Sequence, residues 1–229
     1  MPELTVHDLG RTAYADALAT QERLVERVGA GDRARLLLCE HDPPVITLGR
    51  SARREHLLLD EARLARRGVQ VRQASRGGDV TWHGPGQLVA YLILRLKDHG
   101  GDVRRYLRDL EEVVIRVLGR WDLPGRRRDG LTGAWVGDEK VAAIGVALRR
   151  WVTYHGFAIN ASADLSGFEQ IVPCGIRDYD VTSISRLCGR DVTVEELKGP
   201  VVECAGEVFG FGNIDEQHAT QSLRETENK

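Results

Sequence analysis

The chain has 229 residues, 42% of them hydrophobic, with a formal net charge of −2 and a pI near 6.4. That supplies enough apolar material for the core of one larger domain and leaves no global basic field of the kind that draws in nucleic acid. No apolar run approaches the roughly 20 residues that span a bilayer, and MPELTVHDLG is not a signal peptide, so a soluble, cytoplasmic protein with no membrane partner is expected.

Residues 11–28 carry Tyr14, Leu18, Leu24, Val25 and Val28 at helical spacing. RLLLCE (35–40) and VITLG (45–49) read as strands broken by HDPP. LDEARLARRG predicts a short helix capped by Asp60 and ended by Gly68, and VQVRQ alternates as a strand. LVAYLILRL (88–96) is a strand buried on both faces. Asp102 caps the strongest helix, whose face is Val103, Tyr106, Leu107, Leu110, Val113, Val114, Val117 and Leu118. RRR at 126–128 reads as a solvated face. Residues 133–161 predict a three-stranded meander turning at GDE and at Arg149–Arg150. TVEE (193–196) is a capping box for a last helix that Pro200 is expected to kink or restart, and the polar tail from Asn213 to Lys229 is expected to be disordered. Residues 1–212 then form one α+β (α/β) domain, a mixed sheet packed by helices.

Three stretches carry chemistry. RGGDVTWHGPGQ (76–87) combines four glycines with Arg76, Trp82 and His83. Such a loop brings backbone close to a ligand, but it matches neither phosphate-binding glycine motif, and a strand follows it rather than a helix. In EKVAAIGVA, Lys140 opens an apolar strand. A solvated strand end is the plainer reading; a lysine buried against a sheet can instead serve as a base. YHGFAIN adds His155 and Gly156, and IVPCGI presents Cys174 between a proline and a glycine. The cysteines at 39, 174, 188 and 204 show no C-x-x-C spacing, which argues against zinc and redox motifs. Cys39 and Cys204 fit packing roles, Cys188 lacks a companion motif, and Cys174 is the candidate nucleophile, with Lys140 as its base and histidine as the rival.

EHDPPVITLGR (40–50), RGGDVTWHGPGQLVAY, KVAAIGV, HGFAIN and PCGI, in this order, closely resemble the octanoyltransferases of lipoate biosynthesis. The likeness runs from about Leu36 to Ser185. It implies a fold similar to the catalytic domains of biotin and lipoate-protein ligases. The implied reaction moves an octanoyl group from acyl carrier protein to a lysine of lipoyl domains, those of 2-oxoacid dehydrogenase E2 subunits and of the glycine cleavage H protein. Cys174 matches the acyl-thioester residue and Lys140 its partner. The acyl-substrate segments fall on Arg76, Gly77, Gly78, Asp79, Val80, Thr81, Trp82 and His83, on Ala143, Ile144 and Gly145, and on Gly156, Phe157 and Ala158. His155 is expected to stand behind them, and no metal, nucleotide or other cofactor is required. Amides near Cys174 would stabilise the oxyanion. Three rivals remain at this level: an ATP-dependent ligase on the same fold, a non-catalytic binder of lipoyl or carrier domains, and a cysteine hydrolase.

Overall fold

The apolar run after Gln87 becomes the middle of the sheet, as continuous burial on both faces requires. The computed structural model describes residues 2–172 and 179–218. In chain order the elements are β1 (Glu3–Thr12), α1 (Tyr14–Gly29), β2 (Ala34–His41), β3 (Val45–Leu48), α2 (Glu61–Arg66), β4 (Gln70–Gln73), β5 (Val80–His83), β6 (Gln87–Ile93), α3 (Val103–Gly119), β7 (Arg126–Arg128), β8 (Leu131–Val136), β9 (Glu139–Arg149), β10 (Val152–Asn160), α4 (Ile184–Cys188), α5 (Val194–Phe209) and β11 (Asn213–His218).

Eight strands form one mixed sheet in the order β11-β1-β2-β6-β10-β9-β8-β7, and β4-β3-β5 form a second, smaller sheet. β1 is parallel to both its neighbours, whereas β2, β6, β10, β9, β8 and β7 pair antiparallel in succession. The pleat sorts each strand's side chains onto two faces. Leu88, Ala90 and Leu92 of β6 join Leu110, Val114 and Val117 of α3 and Leu197 and Val201 of α5 in the main core. Val89, Tyr91 and Ile93 point the other way, into a second cluster with Leu24, Val25 and Val28 of α1. A third cluster holds the small sheet together around Ile46, Val80, Trp82 and Phe168. The expected α+β fold on a mixed sheet is thus observed, and no helix among the described residues is long and apolar enough to cross a membrane.

Three expectations change. The tail does not begin at Asn213: β11 continues the sheet, pairing with β1 from Glu3↔Asn213 to Asp8↔His218. Its sequence is polar, but Ile214 packs on the main core in a niche where a Cβ on Gly206 of α5 would come within 2.7 Å of it. Residues 219–229 lie outside the described residues. Helix α5 runs on through Pro200, because the Thr193–Glu196 capping box anchors its start and Val201, Val202 and Ala205 bury beyond the proline. That packing offsets a proline cost of about 3 kcal/mol. The arginines of β7 are engaged rather than merely solvated: Arg127 bonds Glu111 and Glu112, and Arg128 lies over the Trp135 ring.

Helix α3 starts where Asp102 accepts the backbone N–H groups of Arg104 at 2.8 Å and Arg105 at 3.2 Å. Asp102→Ala returns both donors to water, and we expect a loss of about 1 kcal/mol in a urea melt with an unchanged m-value. An unshifted midpoint would show that the cap contributes nothing.

Candidate active site

A cavity of about 780 Å³ lies against the α1 side of the large sheet, where Val89 and Tyr91 of β6, Ala143 and Gly145 of β9 and Gly156 and Ala158 of β10 meet Thr47, Thr81 and His83 of the small sheet. The segment 76–79 joins the two sheets. Arg76 is buried; its Nη2 donates to the Thr47 carbonyl at 2.7 Å and to Thr47 Oγ1 at 2.8 Å, and its Nη1 to the Gly77 carbonyl at 3.1 Å. On the other side the Gly77 amide donates to the Val146 carbonyl at 2.8 Å, which fastens the segment to β9. The glycines fit this close approach. A Cβ on Gly145 would stand 3.0 Å from Arg76 Cδ, and one on Gly49 would run into the Gly78 carbonyl oxygen. Gly78 has φ of +82°, a left-handed value that side chains avoid.

Lys140 lines the same cavity and is itself only 5% exposed. Its ammonium nitrogen is 5.3 Å from the centre of the Trp135 ring and 5.6 Å from that of Tyr179, and the two rings meet edge to face at 4.6 Å. The two ring faces border the amine on this side of the pocket. The Lys140 backbone is held as well: its N–H donates to the Asp180 carbonyl, and its own carbonyl accepts from Thr182 N–H, both at 2.9 Å. Cys174 lies outside the described residues, two positions after Val172 and five before Tyr179 in the sequence. Val172 is tied by its N–H to the His56 carbonyl at 2.8 Å, and His56 Nδ1 meets Asp79 Oδ2 at 2.6 Å.

The histidines are links in buried chains of polar groups. Gln87 Nε2 donates to Asn160 Oδ1 at 2.8 Å, so Gln87 Oε1 is left to accept from His83 Nδ1 at 2.7 Å. That assigns the proton to Nδ1 and leaves Nε2 facing the Thr47 hydroxyl at 3.4 Å. Asn160 in turn donates to the Thr182 carbonyl, which brings the chain to the segment paired with Lys140. Burial, followed by the charges of His41 and Arg76, lowers the pKa of His83 from 6.5 to about 3. Burial and then Arg76 lower that of His155 to about 3, and burial lowers that of His41 to about 4. All three are neutral near pH 7. His155 bonds Ser75 Oγ at 3.1 Å, and His41 Nε2 bonds the Tyr91 hydroxyl at 2.7 Å.

Of the residues singled out in the sequence, Arg76, Gly77, Gly78, Asp79, Val80, Thr81, His83, Lys140, Ala143, Ile144, Gly145, His155, Gly156, Phe157 and Ala158 all border this one cavity. Trp82 is not among the residues that border it. Strand alternation turns it away from Thr81 and His83, and it packs on Phe168 at 5.4 Å. A Cβ on Gly84 or Gly167 would strike its indole, so part of the motif's glycine content serves Trp82. Gly156 has a second duty, since a Cβ there would meet the Ala90 carbonyl on β6. The sequence reading missed Tyr91, Thr47 and Tyr179 on the cavity wall and Trp135 and Gly133 around Lys140; it placed Tyr14 only as a helix-face residue. These are single residues in ordinary strand or helix patterns, with no local signal to mark them.

Comparison with known proteins agrees with this geometry. The model of the lipoyl protein ligase A/B catalytic domain matches residues 13–205. An octanoyltransferase of Chloroflexus aurantiacus is 50% identical over 214 residues, covering 92% of this chain and 96% of its own. One from Rubrobacter xylanophilus is 47% identical over 203 residues, covering 88% and 91% respectively. The bipartite lipoate protein ligase of Thermoplasma acidophilum shares the fold with a TM-score of 0.79 at 18% identity, over 96% of this chain and 89% of that one. A biotin protein ligase of Aquifex aeolicus shares it more distantly, with a TM-score of 0.55 at 15% identity over 92% and 71%. With half its residues shared along nearly the full length of an octanoyltransferase, and a cavity bordered by the stretches that carry the likeness, the chain belongs to the lipoyl protein ligase A/B family, among its octanoyltransferases.

Proposed function

We propose that this protein takes an octanoyl or lipoyl group from acyl carrier protein and passes it, through a thioester on Cys174, to a specific lysine of lipoyl domains in 2-oxoacid dehydrogenases and the glycine cleavage system, in the cytoplasm. The observation that carries this reading is Lys140, a buried amine at the wall of an acyl-sized cavity, on a strand bonded to the segment that follows Cys174 in the sequence. The cavity volume of about 780 Å³ lies within the range of roughly 300–1,000 Å³ usual for small-molecule sites. Val89, Ala143 and Ala158 offer it apolar wall, and Gly145 and Gly156 let backbone form the rest.

The chemistry needs two proton transfers. Cys174 gives its proton to Lys140 and its sulfur attacks the carrier thioester. The tetrahedral intermediate collapses, and Lys140 returns the proton to the departing carrier thiol. In the second half the acceptor amine attacks the Cys174 thioester and loses a proton to Lys140, which hands it to the cysteine sulfur as the C–S bond breaks. The sum is one thioester and one amine converted to one thiol and one amide. Thioester exchange is nearly balanced, and amide formation draws the cycle forward. Enclosure limits the water that would otherwise hydrolyse the acyl-enzyme. The acyl group arrives already activated, so ATP has no step to supply. An ATP-dependent ligase, the runner-up on this fold, predicts no transfer from acyl carrier protein.

With octanoyl carrier protein and no acceptor, the protein is expected to gain one octanoyl group at Cys174, removable by hydroxylamine. Intact mass followed by peptide mapping reads this directly. A label on Cys39, Cys188 or Cys204 would refute the assignment, as would acylation that requires ATP. Cys174→Ala is expected to fold and to lose transfer.

Lys140→Arg separates charge from proton transfer. Arginine keeps the cation and cannot accept a proton. We expect acylation of Cys174 to persist at a reduced rate and transfer to the acceptor lysine to fall by about 10²–10⁴-fold, the usual worth of a general base. Single-turnover kinetics of each half-reaction measure both, and a folded variant with a wild-type second half would leave Lys140 as a fixed charge only.

A further inference from the structure

Beneath Lys140, strand β8 meets helix α3, whose Val103 and Leu107 also line the cavity. Gly133 on β8 lies directly against the lysine stem. It has φ of +137°, and a Cβ there would come within 2.6 Å of both the Ala142 carbonyl oxygen and Lys140 Cε and 3.3 Å of Nζ. At the same point the strand register slips. Ala134 pairs with Ala142, but Trp135 pairs with Lys140, so β9 carries one residue more than β8. Such a bulge re-aims the side chains beside it. Any slack in this irregular stretch would pass straight to the amine.

Glu111 of α3 reaches this stretch. Its carboxylate is 1% exposed. The two oxygens have different partners: Oε2 receives Arg108 at 2.7 Å and Arg127 at 3.2 Å, while Oε1 accepts the Gly133 N–H at 3.2 Å. The neighbours Leu110 and Val114 on the same helix are fully buried and apolar, so adhesion of α3 to the sheet does not need a charge at 111. Burying a carboxylate is costly, and an apolar residue of similar size often serves stability as well or better. What an apolar residue cannot do is accept the Gly133 amide.

We propose that Glu111 is a positioning residue for Lys140, acting through the Gly133 amide: the hydrogen bond holds the bulged strand where the missing Cβ leaves a groove for the lysine stem. This rests on the reading of Lys140 as the proton-transfer group, and the test separates the two. The rate at which acetic anhydride labels Lys140 in the full-length protein, read by peptide mapping against exposed Lys97, reports the amine's position whether or not it is catalytic. Glu111→Leu removes the acceptor, Glu111→Gln keeps an amide oxygen for Gly133, and Gly133→Ala crowds both the lysine stem and the Ala142 carbonyl with Glu111 intact. Asp102→Ala loosens the same helix without touching Gly133.

Glu111→Leu and Gly133→Ala are expected to change Lys140 labelling by about tenfold or more and to lower kcat for transfer by about 10–100-fold with KM little changed, the penalty of a misplaced reacting group. Glu111→Gln is expected to recover most of both, and Asp102→Ala to leave labelling unchanged. Wild-type labelling in folded Glu111→Leu and Gly133→Ala would overturn the proposal, as would an equal change in Asp102→Ala, which would make the effect one of general loosening. Should Glu111→Leu fail to fold, wild-type labelling in Gly133→Ala overturns it alone. Altered labelling with unaltered kcat would uphold the positioning and refute the proton-transfer role of Lys140.

Discussion

A buried guanidinium joins the two sheets. Arg76 turns its donors toward Thr47 of the small sheet, and its neighbour Gly77 bonds Val146 of the large one. A charge taken out of water is tolerable only where its donors are met, so the sites that receive it are tightly specified. At Gly49 the segment passes too close for a Cβ, and at Gly145 one would crowd Arg76 and the Gly77 carbonyl. The cavity exists because this clasp holds the small sheet at a set distance from the large one. Thr47 shares its hydroxyl between Arg76 and His83, and the chain through Gln87 and Asn160 then reaches Thr182, the hydrogen-bond partner of Lys140. Spacing and polarity in the cavity are thus set by one continuous network.

The cavity was legible in the sequence wherever chemistry is concentrated in a short stretch. RGGDVTWHGPGQ, KVAAIGV and HGFAIN each pack unusual residues together, and the fold brings all three to one place. Within those stretches, direction was not legible. Trp82 and His83 are adjacent, yet the pleat sends one into the small-sheet cluster and the other to the cavity. Residues that meet only in space left no trace. Gly133 reads as an ordinary strand glycine until the β8–β9 slip puts it under Lys140, and Glu111 reads as a helix-surface carboxylate until Arg108 and Arg127 enclose it. β11 is polar because it sits at the sheet edge, and only the single apolar contact of Ile214 betrays it.

The shared fold also shows where chemistry can diverge. A lipoate ligase and a biotin ligase have the same architecture at 18% and 15% identity, so the scaffold by itself selects no reaction. In this chain the proposed chemistry would fall to a few side chains around one amine. Trp135 and Tyr179 enclose Lys140 with aromatic faces, and a glycine lies below it. The proton transfers proposed for Lys140 require that amine to be held in one place.

The neutral histidines at and around the cavity carry a cost that acid exposes. His83 and His155 have pKa values near 3 and His41 near 4, all below the 6.5 of an unfolded histidine. Between those limits the unfolded chain binds protons that the folded chain refuses, so stability is whole above about pH 6.5 and drains away as the pH falls toward 3. The groups that titrate are the ones that bond Ser75, Tyr91 and Gln87 at the cavity wall, so acidification attacks that wall and the fold together. The same hydrogen-bonded histidines that shape the cavity wall thus tie the stability of the fold to pH.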